Sequence, residues 1–229
     1  MTPIRRAIIS CHDKTGLVGL AQLLTEFGVE LISTAGTLRA LEEAGIHTVN
    51  MADFTGVEEM MDGRVKSLHA KIHAGLLGIR DNKLHAEQLQ AHGYEWIDLV
   101  VANLHPVEAL IAQPGITPEE VIEQIDIGGM SMIRSAAKNF RYVAAVVNPE
   151  RYSTIMHEMR AHGGAVADVD VERALALDAG EGAHLHGPAG RRPVRHDSPS
   201  SRRLSTRNGS AHAAKVRRAS TTSSRGIPW

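Results

Sequence analysis

Cysteine and aromatic residues are scarce in this 229-residue sequence. The single Cys11 excludes an internal disulfide framework and a cysteine-rich zinc site, and it is typical of a protein from a reducing compartment. Aromatic residues make up 3% of the chain, whereas apolar residues make up 43%. We therefore expect a cytoplasmic protein whose core is built mainly from aliphatic side chains.

Long apolar runs are also missing. No run reaches the roughly 18 residues that a membrane-spanning helix needs, and the opening MTPIRRAIIS has too short an apolar run for a signal peptide. We therefore predict no membrane association.

The net charge of -1 conceals two unlike parts of the chain. Residues 187–229 hold nine arginines and one lysine against one acid, Asp197, so the part before them is acidic. Ser, Pro, Gly and His dominate this basic segment, which cannot bury enough apolar surface to offset the entropy of ordering. We predict a folded domain over residues 1–177. We predict that the tail over 178–229 is disordered or, as a hypothesis, read from a shifted frame of a GC-rich gene.

Strand-like and helix-like segments alternate from Arg5 to about Leu177. Continuous apolar character marks buried strands, and these are RRAIIS, VELIST, WIDLVVANL and YVAAVVN, with HTVNM a possible further strand. Thr117-Pro118-Glu119-Glu120 matches a capping box and predicts a helix over VIEQI. Residues 52–82 are expected to be mainly loop with short helical pieces. This alternation predicts an α/β fold, a parallel sheet flanked by helices.

Three predicted strands run into polar turns that precede helices. Ser10 leads into His12 and Lys14, Thr34 leads into Gly36 and Thr37, and Asn103 leads into His105. Ligands of α/β sheets bind at the carboxyl ends of the strands. Hydroxyl residues and a glycine before a helix suit a phosphate, because backbone N–H groups face the anion. The alternative is plain helix capping by the same residue types.

A basic stretch, MMDGRVKSLHAKIHAG over residues 60–75, is open to three interpretations. His69 and His73 have the i,i+4 spacing of metal ligands, but no third ligand is evident and we predict no metal. The acidic body disfavours a nucleic-acid surface. Arg64 and Lys66 point the same way in an extended segment, which suits a guanidinium on a phosphate and an ammonium on an oxyanion. We therefore favour a pocket for a small anionic substrate.

Asp126 and Lys138 flank the predicted helix that begins at the glycine pair 128–129. Asp126 has a plain alternative as a cap of this helix, and Lys138 as a partner of its C-terminal dipole. A straight helix of twelve residues is about 18 Å long. The two side chains can share one site only if the helix bends, the ligand spans it, or a second subunit supplies one of them.

Six stretches together resemble a known family. They are SCHDKTGLVGLAQLL, ELISTAGTLRALEEAG, FTGVEEMMDGRVKSLHAKIHAGLL, IDLVVANLHP, EEVIEQIDIGG and MIRSAAKNF, in this order. Over about residues 4–177 the chain resembles the N-terminal inosine monophosphate cyclohydrolase domain of the bifunctional purine-biosynthesis protein. The resemblance implies a methylglyoxal synthase-like fold, a homodimer and no cofactor. It also implies dehydrative closure of 5-formamidoimidazole-4-carboxamide ribotide to inosine monophosphate, the last step of de novo purine biosynthesis. No formyltransferase segment is visible, so formyltransferase activity is not expected.

The resemblance also implies a set of site residues. The catalytic positions are Lys66, Asp126, Lys138 and His105. The substrate-binding positions are Ser10, His12, Lys14, Thr34, Gly36, Thr37, Arg64, Ser67 and Asn103.

Several positions depart from the family pattern. His12 replaces a small hydroxyl residue, Ala35 a glycine, Ala70 a proline and His105 a tyrosine. These changes keep open a non-catalytic module that binds a nucleotide or another phosphorylated metabolite. A lyase of the methylglyoxal synthase type is a third interpretation, which the IDIGG and SAAKN stretches argue against.

Overall fold

The structure is a computed structural model that describes residues 2–166. The predicted domain end at 177 and the predicted tail over 178–229 lie outside the described residues. No helix among the described residues is long and apolar enough to cross a membrane.

The described strands and helices follow each other along the chain. The strands are β1 (Thr2–Pro3), β2 (Arg6–Cys11), β3 (Glu30–Ser33), β4 (Val49–Asn50), β5 (Leu99–Asn103), β6 (Ala144–Val146) and β7 (Ala165–Val166). The helices are α1 (Leu17–Glu26), α2 (Ala35–Glu43), α3 (Met51–Thr55), α4 (Ala70–Leu77), α5 (Lys83–Ala91), α6 (Val107–Ile111), α7 (Pro118–Glu123), α8 (Gly128–Lys138) and α9 (Tyr152–Ala161). A 3-10 turn, Pro149–Arg151, leads into α9.

The main sheet has the order β4-β3-β2-β5-β6, and every neighbouring pair is parallel. β1 and β7 form a separate antiparallel pair. The central strand β2 pairs with β3 on one side and with β5 on the other. The parallel sheet predicted from the alternating pattern is therefore confirmed.

Helices cover both faces of the sheet. Successive residues of each strand point to opposite sides, so each strand contributes to two buried clusters. Ile9 and Val101 belong to one buried cluster, which includes side chains from α1, α2 and α9. Ile8 and Val100 belong to the other cluster, which includes side chains from α3, α4 and α8. This burial on both faces explains why the strand sequences are continuously apolar rather than alternating.

Local patterns identified some elements less well than others. α4 is a two-turn helix inside the region expected to be mainly loop, where Ile72 and Leu76 are fully buried in the cluster shared with α8. Tertiary burial stabilises such a short helix more than its own propensity does. α6 was not predicted, and Met51, expected to end a strand, begins α3. The capping box is confirmed, since Thr117 Oγ1 accepts from Glu120 N at 3.2 Å.

A buried carboxylate joins β2 and β5 at their amino-terminal ends. Asp98, which is 2% exposed, accepts hydrogen bonds from the backbone N–H groups of Arg5 at 2.8 Å and Arg6 at 2.9 Å. Arg80, after α4, forms an ion pair with the same carboxylate. One side chain therefore fixes the start of β2 against β5 and holds the end of α4 to the sheet.

We expect Asp98→Ala to lower the free energy of unfolding by about 3 kcal/mol, because it leaves buried donors and the Arg80 charge without their acceptor. Urea denaturation of the variant and of the native chain measures this loss. Asp53→Ala is the control, since Asp53 is exposed in the first turn of α3 and should contribute no more than about 1 kcal/mol. Equal losses in the two variants would contradict this role of Asp98.

Candidate functional site

A cleft with a volume of about 570 Å³ lies at the carboxyl ends of the central strands. Register brings these ends together, since Cys11 of β2 is paired with Asn103 of β5, and Ile9 with Ser33 of β3. We call this space the strand-end cleft. Most of the predicted site residues line it: Ser10, His12, Thr34, Gly36, Thr37, Arg64, Lys66, Ser67, Asn103, His105 and Asp126.

Lys14 and Lys138 are the predicted site residues that do not line this cleft in the described part of the chain. Lys14 is exposed near the rim, where its Nζ donates to the carbonyl oxygen of His12 at 3.3 Å. Lys138 is exposed in the last turn of α8, whereas Asp126 precedes the first turn. An 11-residue helix is about 16 Å long, so a single chain holds these two side chains far apart.

Hydroxyl side chains form the wall at the ends of β2 and β3. Ser10 Oγ lies 3.1 Å from Thr34 Oγ1, so within the described residues Thr34 contacts the neighbouring strand rather than capping α2. Thr37 Oγ1 accepts from Cys11 N at 3.0 Å and donates to Cys11 O at 3.1 Å. Thr37 therefore fastens α2 to β2. The first backbone N–H groups of α2 have no acceptor within the helix and can face an anion.

Asn103 holds the loop that follows β2. Its Oδ1 accepts from Asp13 N at 2.7 Å, and its Nδ2 donates to Asp13 O at 2.8 Å. His12 N also donates to Asn103 O at 3.3 Å. The side chain that the resemblance places among substrate ligands thus has a second role in holding the backbone of Asp13, next to His12.

His12 and His105 meet on the wall of the cleft, where their ring centroids are 4.1 Å apart. Burial lowers the pKa of His12 from its usual value, and the neighbouring His105 and Lys14 lower it further. His105 Nδ1 is buried and has no hydrogen-bond partner among the described residues. The two rings thus form one contact between the turns after β2 and β5.

Arg64 and Lys66 reach the cleft from a tight hairpin that a bridge between Met60 and Val65 closes. Met61 and Asp62 have φ values of 55° and 56°, in the left-handed region that side chains other than glycine rarely adopt. Such strain is typical of functional segments whose surroundings impose the conformation. Lys66 also borders a smaller pocket of about 260 Å³, which shares Thr34 with the cleft.

Asp126 and the glycine pair after it close the cleft at the start of α8. Asp126 Oδ1 accepts from Gly129 N at 2.7 Å, so one carboxylate oxygen does cap this helix. A Cβ atom at Gly128 would overlap Ser67 Oγ, and one at Gly129 would lie 2.5 Å from Asp126 Oδ2. The absence of side chains at 128 and 129 therefore lets α8 approach both Ser67 and Asp126.

His69 and His73 each form a hydrogen bond within the protein through Nδ1. His69 Nδ1 accepts from Lys71 N at 3.1 Å and caps α4. His73 Nδ1 lies 2.9 Å from Ser135 Oγ, which joins α4 to α8. In the described part of the chain no group of three His, Cys, Asp or Glu side chains could hold a metal ion.

Comparison with known protein families supports the fold described above. The model of the MGS-like domain matches residues 16–131, which is more than half of the chain and includes the ends of β3 and β5. The chain belongs to the MGS-like domain family. The methylglyoxal synthase-like fold inferred from the resemblance is therefore confirmed.

Curated relatives of this MGS-like domain are purine-biosynthesis proteins. The bifunctional purine biosynthesis protein PurH of Magnetococcus marinus is 54% identical over 164 residues, which cover 72% of this chain and 31% of the relative. The protein of the same name from Rhodospirillum rubrum is 51% identical over 177 residues, covering 77% of this chain and 33% of the relative. The chain thus spans about a third of the length of the curated relatives it matches.

A solved structure shares the fold of this MGS-like domain. The crystal structure of ForH superposes with a TM-score of 0.70 at 30% sequence identity, covering 79% of this chain and 94% of that one.

Sequence reasoning missed several residues that line the cleft. Ile122, Ile125 and Ile127 are more than half exposed and form an apolar wall beside Glu123. Their proximity to the predicted Asp126 was the available signal. Cys11 also borders the cleft, but its thiol lies 3.6 Å from Val101 O and Tyr152 OH, and burial raises its pKa. This thiol is therefore poorly suited to act as a nucleophile.

We expect His73 to make folding stability depend on pH. Burial lowers the pKa of His73 from its usual 6.5, so the folded state binds fewer protons than the unfolded chain. The stabilisation is complete above that value and is lost as the pH falls through the lower native pKa. In His73→Gln the melting temperature should therefore fall less between about pH 7.5 and about pH 5.5 than in the native chain.

The exposed His157→Gln is the control and should retain the native pH dependence. An unchanged pH dependence in His73→Gln would show that the imidazole of His73 is not the responsible group. A lower melting temperature at both pH values alone would report only the lost contact with Ser135.

Proposed function

We propose that the chain is an inosine monophosphate cyclohydrolase that closes the ring of 5-formamidoimidazole-4-carboxamide ribotide. The observation that carries the proposal is the meeting of Lys66, Asp126 and His105 in one cleft with the Thr34–Gly36 turn. A cation, a carboxylate, a proton-transferring side chain and an anion-binding turn suit this reaction. The relatedness to purine biosynthesis proteins supports the same substrate class.

The phosphate of the nucleotide binds at the turn before α2. Backbone N–H groups at Ala35 and Gly36 open the helix there, and the hydroxyls of Ser10 and Thr34 lie beside them. The helix dipole adds a favourable field for the anion. The flat heterocycle packs against the apolar wall of Ile122, Ile125 and Ile127, which lines the same cleft.

Ring closure joins the carboxamide nitrogen to the formyl carbon. The formyl oxygen becomes an oxyanion in the tetrahedral adduct, and the ammonium of Lys66 stabilises this charge. The oxygen then leaves as water with one proton from the carboxamide nitrogen and one from the formamido nitrogen. Asp126 accepts a proton from the attacking nitrogen, and His105 transfers a proton toward the departing oxygen. Holding both reacting groups in one cleft supplies much of the rate enhancement.

Lys138 acts in this scheme from a second copy of the chain. Within one chain it is exposed at the far end of α8 from Asp126. A homodimer that brings this lysine to the cleft of its partner resolves the separation. We propose the cytoplasm as the location, where the purine precursors are available.

A second candidate function is nucleotide binding without turnover. The contact between His12 and His105 favours it, because a ring pair occupies the cleft wall where the family pattern has a hydroxyl residue and a tyrosine. Imidazole differs from a phenol in reach and in acidity. Measuring turnover and binding on the same protein separates the two candidates.

The first test follows conversion of the formamido ribotide to inosine monophosphate by absorbance. We expect turnover by the native chain and a loss of about 100-fold or more in kcat for Lys66→Ala, the size typical for removal of an oxyanion partner. Lys138→Ala should also lose turnover if the second subunit supplies that group. Lys83→Ala, on the exposed surface of α5, is the control and should keep native kcat.

No turnover combined with tight binding of inosine monophosphate would favour the non-catalytic candidate. The absence of both turnover and binding would refute both candidate functions.

The second test separates a phosphate site from plain helix capping at Gly36. A Cβ atom built at Gly36 meets nothing within 4 Å, so Gly36→Ala should fold and gain up to about 1 kcal/mol from the better helix former. The same methyl group would crowd an anion at the turn. We therefore expect the dissociation constant of inosine monophosphate to rise about tenfold, a cost of about 1.4 kcal/mol.

Gly19→Ala is the matched control, because Gly19 lies in α1 and its added Cβ atom also meets nothing within 4 Å. It should stabilise the chain without changing nucleotide affinity. Unchanged affinity in Gly36→Ala would mean that the turn only begins a helix.

A further inference from the structure

Arg64 is already paired with a carboxylate of the same chain, that of Glu123. Its Nε donates to Glu123 Oε1 at 3.1 Å, and its Nη2 contacts Glu123 Oε2. Both side chains line the strand-end cleft, and their exposed fractions are 66% and 48%. This two-point contact is the geometry in which a guanidinium recognises a carboxylate or a phosphate.

The helix that carries Glu123 is loosely attached. In the part of the chain that the structure describes, none of the residues of α7 is buried, and its main packing partner is the short α6. The ion pair with Arg64 joins this helix to the hairpin that Met60 and Val65 close. Little apolar packing therefore opposes a movement of Glu123 away from Arg64.

We propose that Glu123 is an internal competitor that occupies Arg64 until a phosphate-bearing ligand displaces it, and that Glu123 thereby lowers the affinity of the cleft for phosphate. Carboxylate and phosphate oxygens match the same pair of guanidinium N–H groups, so both cannot occupy that pair at once. The identity of the ligand, inosine monophosphate or its precursor, rests on the proposed function. The competition itself requires only that an oxyanion binds at Arg64.

This competition sets the affinity of the cleft for anions. A phosphate group carries up to two negative charges at neutral pH and can outcompete the single charge of a carboxylate. A neutral nucleoside that enters the same cleft has no anionic group to displace Glu123, so it gains nothing from Arg64. Glu123 therefore lowers the affinity for nucleotides and other anions at this position, and it narrows the difference in affinity between a nucleotide and its nucleoside.

Glu123→Gln tests the inference through a gain of affinity, which damage to the fold does not produce. The amide keeps the size of the side chain and removes its charge. We expect the dissociation constants of inosine monophosphate and of inorganic phosphate, measured by calorimetry, to fall about two- to fivefold, the range expected for an exposed ion pair. The Arg64 Nε–H resonance should shift at a correspondingly lower phosphate concentration.

Two further variants remove the simpler explanations. Glu119→Gln loses the same charge from the exposed face of α7 and should leave both dissociation constants unchanged. In an Arg64→Met background the effect of Glu123→Gln should vanish, since the two side chains then no longer interact.

Unchanged or weaker binding of both anions by Glu123→Gln would overturn the inference, whatever the activity assay shows. An equal gain in Glu119→Gln would also overturn it, because general charge would then be the cause. Tighter phosphate binding by Glu123→Gln in a chain without cyclohydrolase turnover would support the inference and refute only the proposed reaction.

Discussion

The parallel pairing of β2 with β3 and β5 is the constraint on which the site depends. It places Cys11 beside Asn103 and Ile9 beside Ser33, so three polar turns emerge at one edge of the sheet. Hydrogen bonds then fasten these turns to one another, as in the contact of Ser10 with Thr34. At the amino-terminal ends of the strands, the buried carboxylate of Asp98 fixes the start of β2. The pairing of β2 with its two neighbours therefore determines both the register of the sheet and the position of the cleft.

Some charged groups in the cleft are already paired before any ligand arrives. Glu123 pairs with Arg64, and one oxygen of Asp126 is bound to the backbone N–H of Gly129. The hairpin that presents Arg64 and Lys66 takes a left-handed backbone at two successive non-glycine residues. Binding of an anion at Arg64 thus involves exchange of an existing partner. In this arrangement the affinity for an anion at Arg64 depends on how strongly the anion competes with Glu123.

Much of the fold was predictable because burial on both faces leaves a clear mark on the sequence. Strands such as β5 are continuously apolar, and the capping box at Thr117 has a local pattern that needs no tertiary information. α4 was harder to identify, since its stability comes from packing Ile72 and Leu76 against distant elements. α6 has no comparable signal. Local patterns predict elements well only where the stabilising interactions are local.

The sequence by itself determined the class of fold, the order of most of its strands and helices, and the chemical types gathered near the strand ends. Spacing alone could not show which of these side chains share a cleft. Only the tertiary structure decided that Lys66 and Asp126 meet there while Lys138 lies at the far end of α8. It also brought Glu123 to Arg64, 59 residues away along the chain. Contacts of this kind depend on how helices pack on the sheet, and that packing is a property of the whole domain.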